Sequence, residues 1–309
     1  MSDAGEVLPR QPFASTLPPP RPQYTFEDNR VLHDLMTPPH NKEDHLARAE
    51  MKAVDEYLTL LATCHTVMLS YDGCELPHVH NVAQCGARTR FNAQSPDELA
   101  LVEFAQEQQY FFHFIEPAKF EFEGRTIQGN RCSVNILGVQ HQFDVFEVIE
   151  FTSTRKRCSV ILYDHRDEQV KLYCKGADNV IRERLTPDSL STSWLPTNAY
   201  LQKFSTIGLR TLCCAYRVIP RAEFIAWYDQ MQSAKSSMEN RAEAVQQVSE
   251  IIESNFTLLG TTAIEDRLQE VSHSGRTGAS VLSVSGPQTD PSCLCVVRVF
   301  RESPTPSRR

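Results

Sequence analysis

Four short stretches of this sequence carry side chains suited to contact with a flat, charged small molecule. Glu98 closes the tetrad Ser95-Pro96-Asp97-Glu98, which opens the apolar segment 99–105. A carboxylate on a helix rim accepts a hydrogen bond from an exocyclic amine. Ser and Glu three apart, with proline at the first helical position, also form a capping-box start whose work is purely structural. Phe151 stands where an apolar strand gives way to Thr152-Ser153-Thr154-Arg155-Lys156-Arg157. An aromatic there stacks on a heterocycle, worth about 1–3 kcal/mol for a base, or fills the core as phenylalanine commonly does. Lys175 begins Lys175-Gly176-Ala177-Asp178 between a strand and a helix. The small residues let a ligand approach the backbone, and the ammonium offsets phosphate charge or lies against a purine ring. The plainer alternative is an ordinary strand-to-helix turn. Arg210, in Gly208-Leu209-Arg210-Thr211-Leu212, offers a planar donor fork for a phosphate or simply an exposed edge-strand cation.

The elements that must position these residues are visible as periodicity. Val54, Leu58, Leu61 and Ala62 recur at helical spacing and predict a helix over 49–68. Residues 120–148 alternate in short runs, with Glu123-Gly124 and Gly129-Asn130 as turn signals, and predict hairpins. Strands follow over 159–164 and 169–175, separated by a charged turn, and over 209–218. Phe224, Trp227, Tyr228 and Met231, then Val245, Val248, Ile251 and Ile252, define two amphipathic helices. A last apolar run, 256–264, reads as a strand. Clustered strands with flanking helices predict an α+β block around a mainly antiparallel sheet.

The 309 residues are 41% hydrophobic and 23% charged, ordinary for a globular protein, with a formal charge of -8. An acidic chain is not built to coat nucleic-acid phosphates. The start lacks the basic and apolar segments of a signal peptide, so the ten cysteines read as reduced thiols of a soluble, cytoplasmic chain. Residues 1–23 hold six prolines and predict a disordered leader, whereas 271–309, with eight serines, predict a mostly disordered tail. Between them 24–270 form one patterned block. Cys74, His78, His80 and Cys85 fit no standard zinc spacing and read as an insertion.

Taken in order, the four stretches resemble the nucleotide-binding domain of P-type ATPases. Ser95 to Glu98, Phe151-Thr152-Ser153 with Arg155-Lys156-Arg157, and Lys175 to Asp178 are similar to the phospholipid-transporting branch, the flippases. Tyr24-Thr25-Phe26-Glu27-Asp28, Cys64-His65-Thr66-Val67 and Asp266-Arg267-Leu268-Gln269 extend the resemblance over about 24–270. It implies the fold of that domain and ATP as ligand: Glu98 contacting the adenine, Phe151 stacked on it, Lys175 beside the ring and Arg210 reaching toward the phosphates. It also implies, as partners in a complete transporter on the cytoplasmic side of a membrane, the other ATPase domains and a phospholipid bilayer.

The family's phosphorylated Asp-Lys-Thr-Gly-Thr, its magnesium-holding Gly-Asp-Gly-x-Asn-Asp and its Thr-Gly-Glu are not found in these residues. The expectation is a product of truncation, splicing or a gene-model error that binds ATP without hydrolysing it, contributes no catalytic residue or metal ligand, and needs Mg²⁺ only within the complete enzyme. The alternative is a non-catalytic interaction protein with an idle pocket, whose proline-rich leader or serine-rich tail recruits a partner.

Overall fold

The computed structural model describes residues 45–72, 88–93, 95–265 and 294–300. An eight-stranded sheet forms the middle layer, in the spatial order β10-β9-β8-β7-β6-β5-β4-β3. Its strands are β3 (Tyr110–Phe122), β4 (Arg125–Ile136), β5 (Val139–Ile149), β6 (Arg157–Asp164), β7 (Gln169–Gly176), β8 (Arg210–Ile219), β9 (Thr257–Glu265) and β10 (Leu294–Phe300). Neighbours from β3 to β9 run antiparallel, and β10 joins β9 in parallel. A separate two-stranded ribbon pairs β1 (Met68–Asp72) with β2 (Arg88–Asn92). The α+β architecture predicted from the strand clustering is the architecture observed.

Helices cover both faces. On one lie α1 (His45–Thr63) and α2 (Pro96–Glu107), packing Leu58, Leu61, Leu101 and Phe104 against Val160, Leu162 and Tyr173 of the sheet. On the other lie α3 (Asp178–Arg182), α4 (Pro187–Thr192), α5 (Trp194–Thr206), α6 (Arg221–Ser236) and α7 (Arg241–Ile252), with Phe224, Trp227 and Met231 against Ile161, Leu172 and Cys174. Successive strand residues thus enter opposite cores, which is why β6 and β7 read as nearly continuous apolar runs rather than alternating ones. Among the described residues no helix is long and apolar enough to cross a membrane.

The helix predicted over 49–68 ends at Thr63, because Met68 is taken into β1 opposite Asn92. Glu123-Gly124 is a hairpin turn, both residues at positive φ, as type I′ geometry requires. Gly129-Asn130 is not a turn. Both lie inside β4, paired with Ala118 and Pro117. The second hairpin turns at Leu137-Gly138, again with two positive φ angles. Gly129 is needed there for space, since a Cβ on it meets the Val145 carbonyl. Pro117 is tolerated because β3 is the sheet edge. The insertion holding Cys74, His78, His80 and Cys85, the leader and the Asp266 to Gln269 hinge lie outside the described residues.

Gly176 closes β7 against the start of β6. A Cβ built on it meets Arg157 Cβ at 2.6 Å and Lys156 O at 2.8 Å. Gly176→Ala therefore forces the strands apart and should cost about 1–3 kcal/mol, read as a lower midpoint in urea unfolding. An unchanged midpoint would show that this strand end yields without cost.

Candidate functional site

β5 ends, β6 begins, β7 ends and β8 begins at one end of the sheet, and the exit of α1 and first turn of α2 lie over it. The chain leaves α1 through Cys64-His65-Thr66. His65 is buried edge-on against Phe112, ring centroids 4.6 Å apart. Its Nε2 lies 2.9 Å from Ala62 O and its Nδ1 accepts from Val67 N at 3.2 Å. That pattern requires the neutral ring with the proton on Nε2, since a protonated Nδ1 would confront the Val67 N–H. Burial, helped by the Lys175 ammonium, accordingly pulls the imidazole down to about 4.

Thr66 then contacts Glu98 twice: its N donates to Oε2 at 3.2 Å and its Oγ1 to the same oxygen at 2.7 Å. The other oxygen, Oε1, receives Lys175 Nζ at 2.9 Å. Burial disfavours the Glu98 charge, but Lys175 and Thr66 outweigh it and hold the carboxyl below its usual range. The Lys175 ammonium, only 6% exposed, is likewise kept above its ordinary value against burial by its partners, Glu98 among them. Glu98 thus stays an anion and an acceptor. The capping box suggested by the Ser95 to Glu98 spacing does not form. Ser95 makes no side-chain cap bond, and Glu98 turns to Thr66 and Lys175 instead.

Arg210, at the first position of β8, lies 2.8 Å from Asp97. Two adjacent acids in the α2 first turn therefore each hold one base from the sheet end, Asp97 with Arg210 and Glu98 with Lys175. β8 runs between β7 and β9, so Arg210 is not an edge-strand residue.

Phe151 follows β5 and is 61% exposed, which settles its sequence ambiguity against a core role. Its turn is ordered: Lys156 N donates to Thr152 O at 2.8 Å and Arg155 N to Thr152 Oγ1 at 3.1 Å. Lys156 O accepts from Ala177 N at 3.0 Å, tying the turn to the residues just after Lys175. Glu98, Lys175 and Arg210 are thus joined through the α2 first turn, and Phe151 sits on the neighbouring turn at the same sheet end. Thr66, His65 and Asp97 were not singled out as functional by sequence reasoning. The signal for Thr66 is a hydroxyl residue a few positions after an apolar helix, which is common.

A family model described as P-type ATPase, cytoplasmic domain N, matches residues 81–271. The chain is 37% identical over 246 residues to phospholipid-transporting ATPase dnf2 of Schizosaccharomyces pombe, covering 80% of this chain and 15% of that protein. It is 35% identical over 249 residues to phospholipid-transporting ATPase IC of Xenopus tropicalis, covering 81% and 17%. Over 221 residues it is 36% identical to phospholipid-transporting ATPase DRS2 of Saccharomyces cerevisiae, covering 70% and 14%. The chain spans less than a fifth of the length of these relatives.

The buried neutral His65 has a measurable consequence. As pH falls through 6.5 the unfolded ring takes up a proton that the folded ring refuses until about 4. Stability is therefore lost across that window, by about 3 kcal/mol from this residue. In His65→Gln that loss is missing, so the stability gap between the two proteins should narrow by about that amount between pH 7 and pH 4. Parallel pH profiles in urea unfolding would contradict a neutral His65.

Proposed function

Because the chain belongs to the cytoplasmic domain N family of P-type ATPases, we propose that residues 24–270 are the ATP-binding module of a phospholipid-translocating ATPase. The observation that carries it is the pair of buried Lys175 and half-buried Glu98 beside the exposed Phe151 turn. A carboxylate has about four lone-pair positions. Two are taken at Oε2 by Thr66 and one at Oε1 by Lys175, leaving one for the 6-amino group of adenine. Guanine presents a carbonyl oxygen at that place, which an ionised Glu98 repels. Phe151 stacks on the base, Lys175 lies beside the ring, and Arg210, 56% exposed at its side chain, turns from Asp97 toward the phosphates.

In the complete transporter the γ-phosphate passes to an aspartate of another domain, where Mg²⁺ is also held, and the resulting cycle moves a phospholipid between leaflets on a membrane whose cytoplasmic side carries this module. The work of this chain's residues is to hold and orient the nucleotide. An idle pocket is disfavoured by the exposed Phe151.

Because most partners of the phosphates and of Mg²⁺ belong to another domain of the complete enzyme, affinity should be weak, a Kd near 1 mM or about -4 kcal/mol. An NMR titration with ATP should shift amides around Phe151, Lys175 and Arg210, with GTP weaker by about tenfold. Phe151→Ala should weaken ATP binding by at least about fivefold, the low end of base stacking. Absence of shifts at several millimolar ATP would refute the proposal.

A further inference from the structure

Glu253 lies one residue beyond α7, in a different layer of the molecule from Glu98, and is fully buried. It accepts from Arg157 Nε at 2.8 Å, from Ser159 Oγ at 2.5 Å and from Arg155 Nη2, and Arg157 Nη2 lies 2.6 Å from its Oε2. Both arginines are also buried. A carboxylate and two guanidiniums withdrawn from water persist only when they are paired; here the pairing is made through Arg155 Nη2 and Arg157 Nε, while Arg155 Nε and Arg157 Nη2 make no hydrogen bond among the described residues. Arg155 also donates from Nη1 to Glu150 O at 2.6 Å. One guanidinium therefore spans the first residue of the Phe151 turn and the anion beneath it. Lys156, within that turn, takes a left-handed backbone, φ 52°.

On the strength of the nucleotide reading proposed above, we infer that Glu253 is a positioning residue for the site: through Arg155 and Arg157 it fixes the turn that presents Phe151. The ring is largely exposed, so its placement comes from the backbone that carries it rather than from packing. A turn ordered before the base arrives avoids paying the ordering entropy on binding. The end of α7, remote in sequence, thereby becomes part of the nucleotide site.

Glu253→Gln is the obvious variant, but it takes from two buried guanidiniums the anion they share and leaves only Glu250, 3.9 Å from Arg157 Nη2, nearby. Arg155→Met is the informative one, because it leaves Arg157 and Glu253 as a balanced pair and removes the guanidinium that joins Glu253 to Glu150 O. ATP is titrated into the unaltered chain, Arg155→Met, Phe151→Ala and the double variant, each checked for folding by its amide spectrum. Arg155→Met should weaken ATP binding by a factor approaching that of Phe151→Ala, about tenfold. The double variant should be no weaker than Phe151→Ala alone, since the clamp acts through that ring. Unchanged affinity in Arg155→Met, with Phe151→Ala still weakened, overturns the clamp alone. Losses that multiply in the double variant also overturn it. If the unaltered chain binds no ATP, or Phe151→Ala binds as it does, the stacking role of Phe151 falls and the clamp falls with it.

Discussion

A lysine ammonium at the end of a sheet strand and a glutamate carboxylate at the start of a helix, 2.9 Å apart and withdrawn from water, decide how this end of the molecule is put together. Lys175 is buried, and an ammonium withdrawn from water needs a partner; the half-buried Glu98 supplies it. The pair is held in place by Thr66, so the exit of α1, the first turn of α2 and the last residues of β7 are joined at one point. Neither charge is free to move off without the other. The nucleotide site proposed here draws on that rigidity, because groups already in position need not be ordered on binding.

A second lysine on the same strand shows what a purely structural charge looks like. Lys171 lies four residues before Lys175 on the same face, with Glu56, Asp164 and Asp167 all within ion-pair distance at 2.7–2.9 Å. Asp164 also receives Arg166, and these cations outweigh burial to hold its carboxyl near 2. That cluster is saturated and serves to seat α1 on the sheet. For Lys175, one carboxylate, Glu98, lies within ion-pair distance among the described residues. The two lysines have similar burial and opposite surroundings, and only the second stands at the strand end where the turns meet.

Much of the fold was legible because burial imposes period. The 209–218 run became β8, and the two amphipathic patterns after Phe224 became α6 and α7, since apolar spacing leaves few alternatives. Glycine was less informative: Gly124 marks a turn but Gly129 marks a close approach, and the two look alike without the neighbouring strand. Of the candidate site, the sequence offers the residue types but not the pairings the structure shows. Glu98 matched a capping box by spacing, yet its partners come from residues 66 and 175, beyond any local window. Arg155 and Arg157 sit in a run of three consecutive basic residues, a composition that gives no hint that both are buried on Glu253. Sequence periodicity does not reveal a charge whose partner is nearly a hundred residues away.

The most direct measurement is of proximity between ligand and side chains: intermolecular nuclear Overhauser effects from the C2 and C8 protons of adenine in the presence of ATP. Cross-peaks to the ring protons of Phe151 and to the terminal methylene of Lys175 are the predicted result. Cross-peaks confined to other surfaces of the domain, with neither of these residues represented, would contradict a purine site at this end of the sheet.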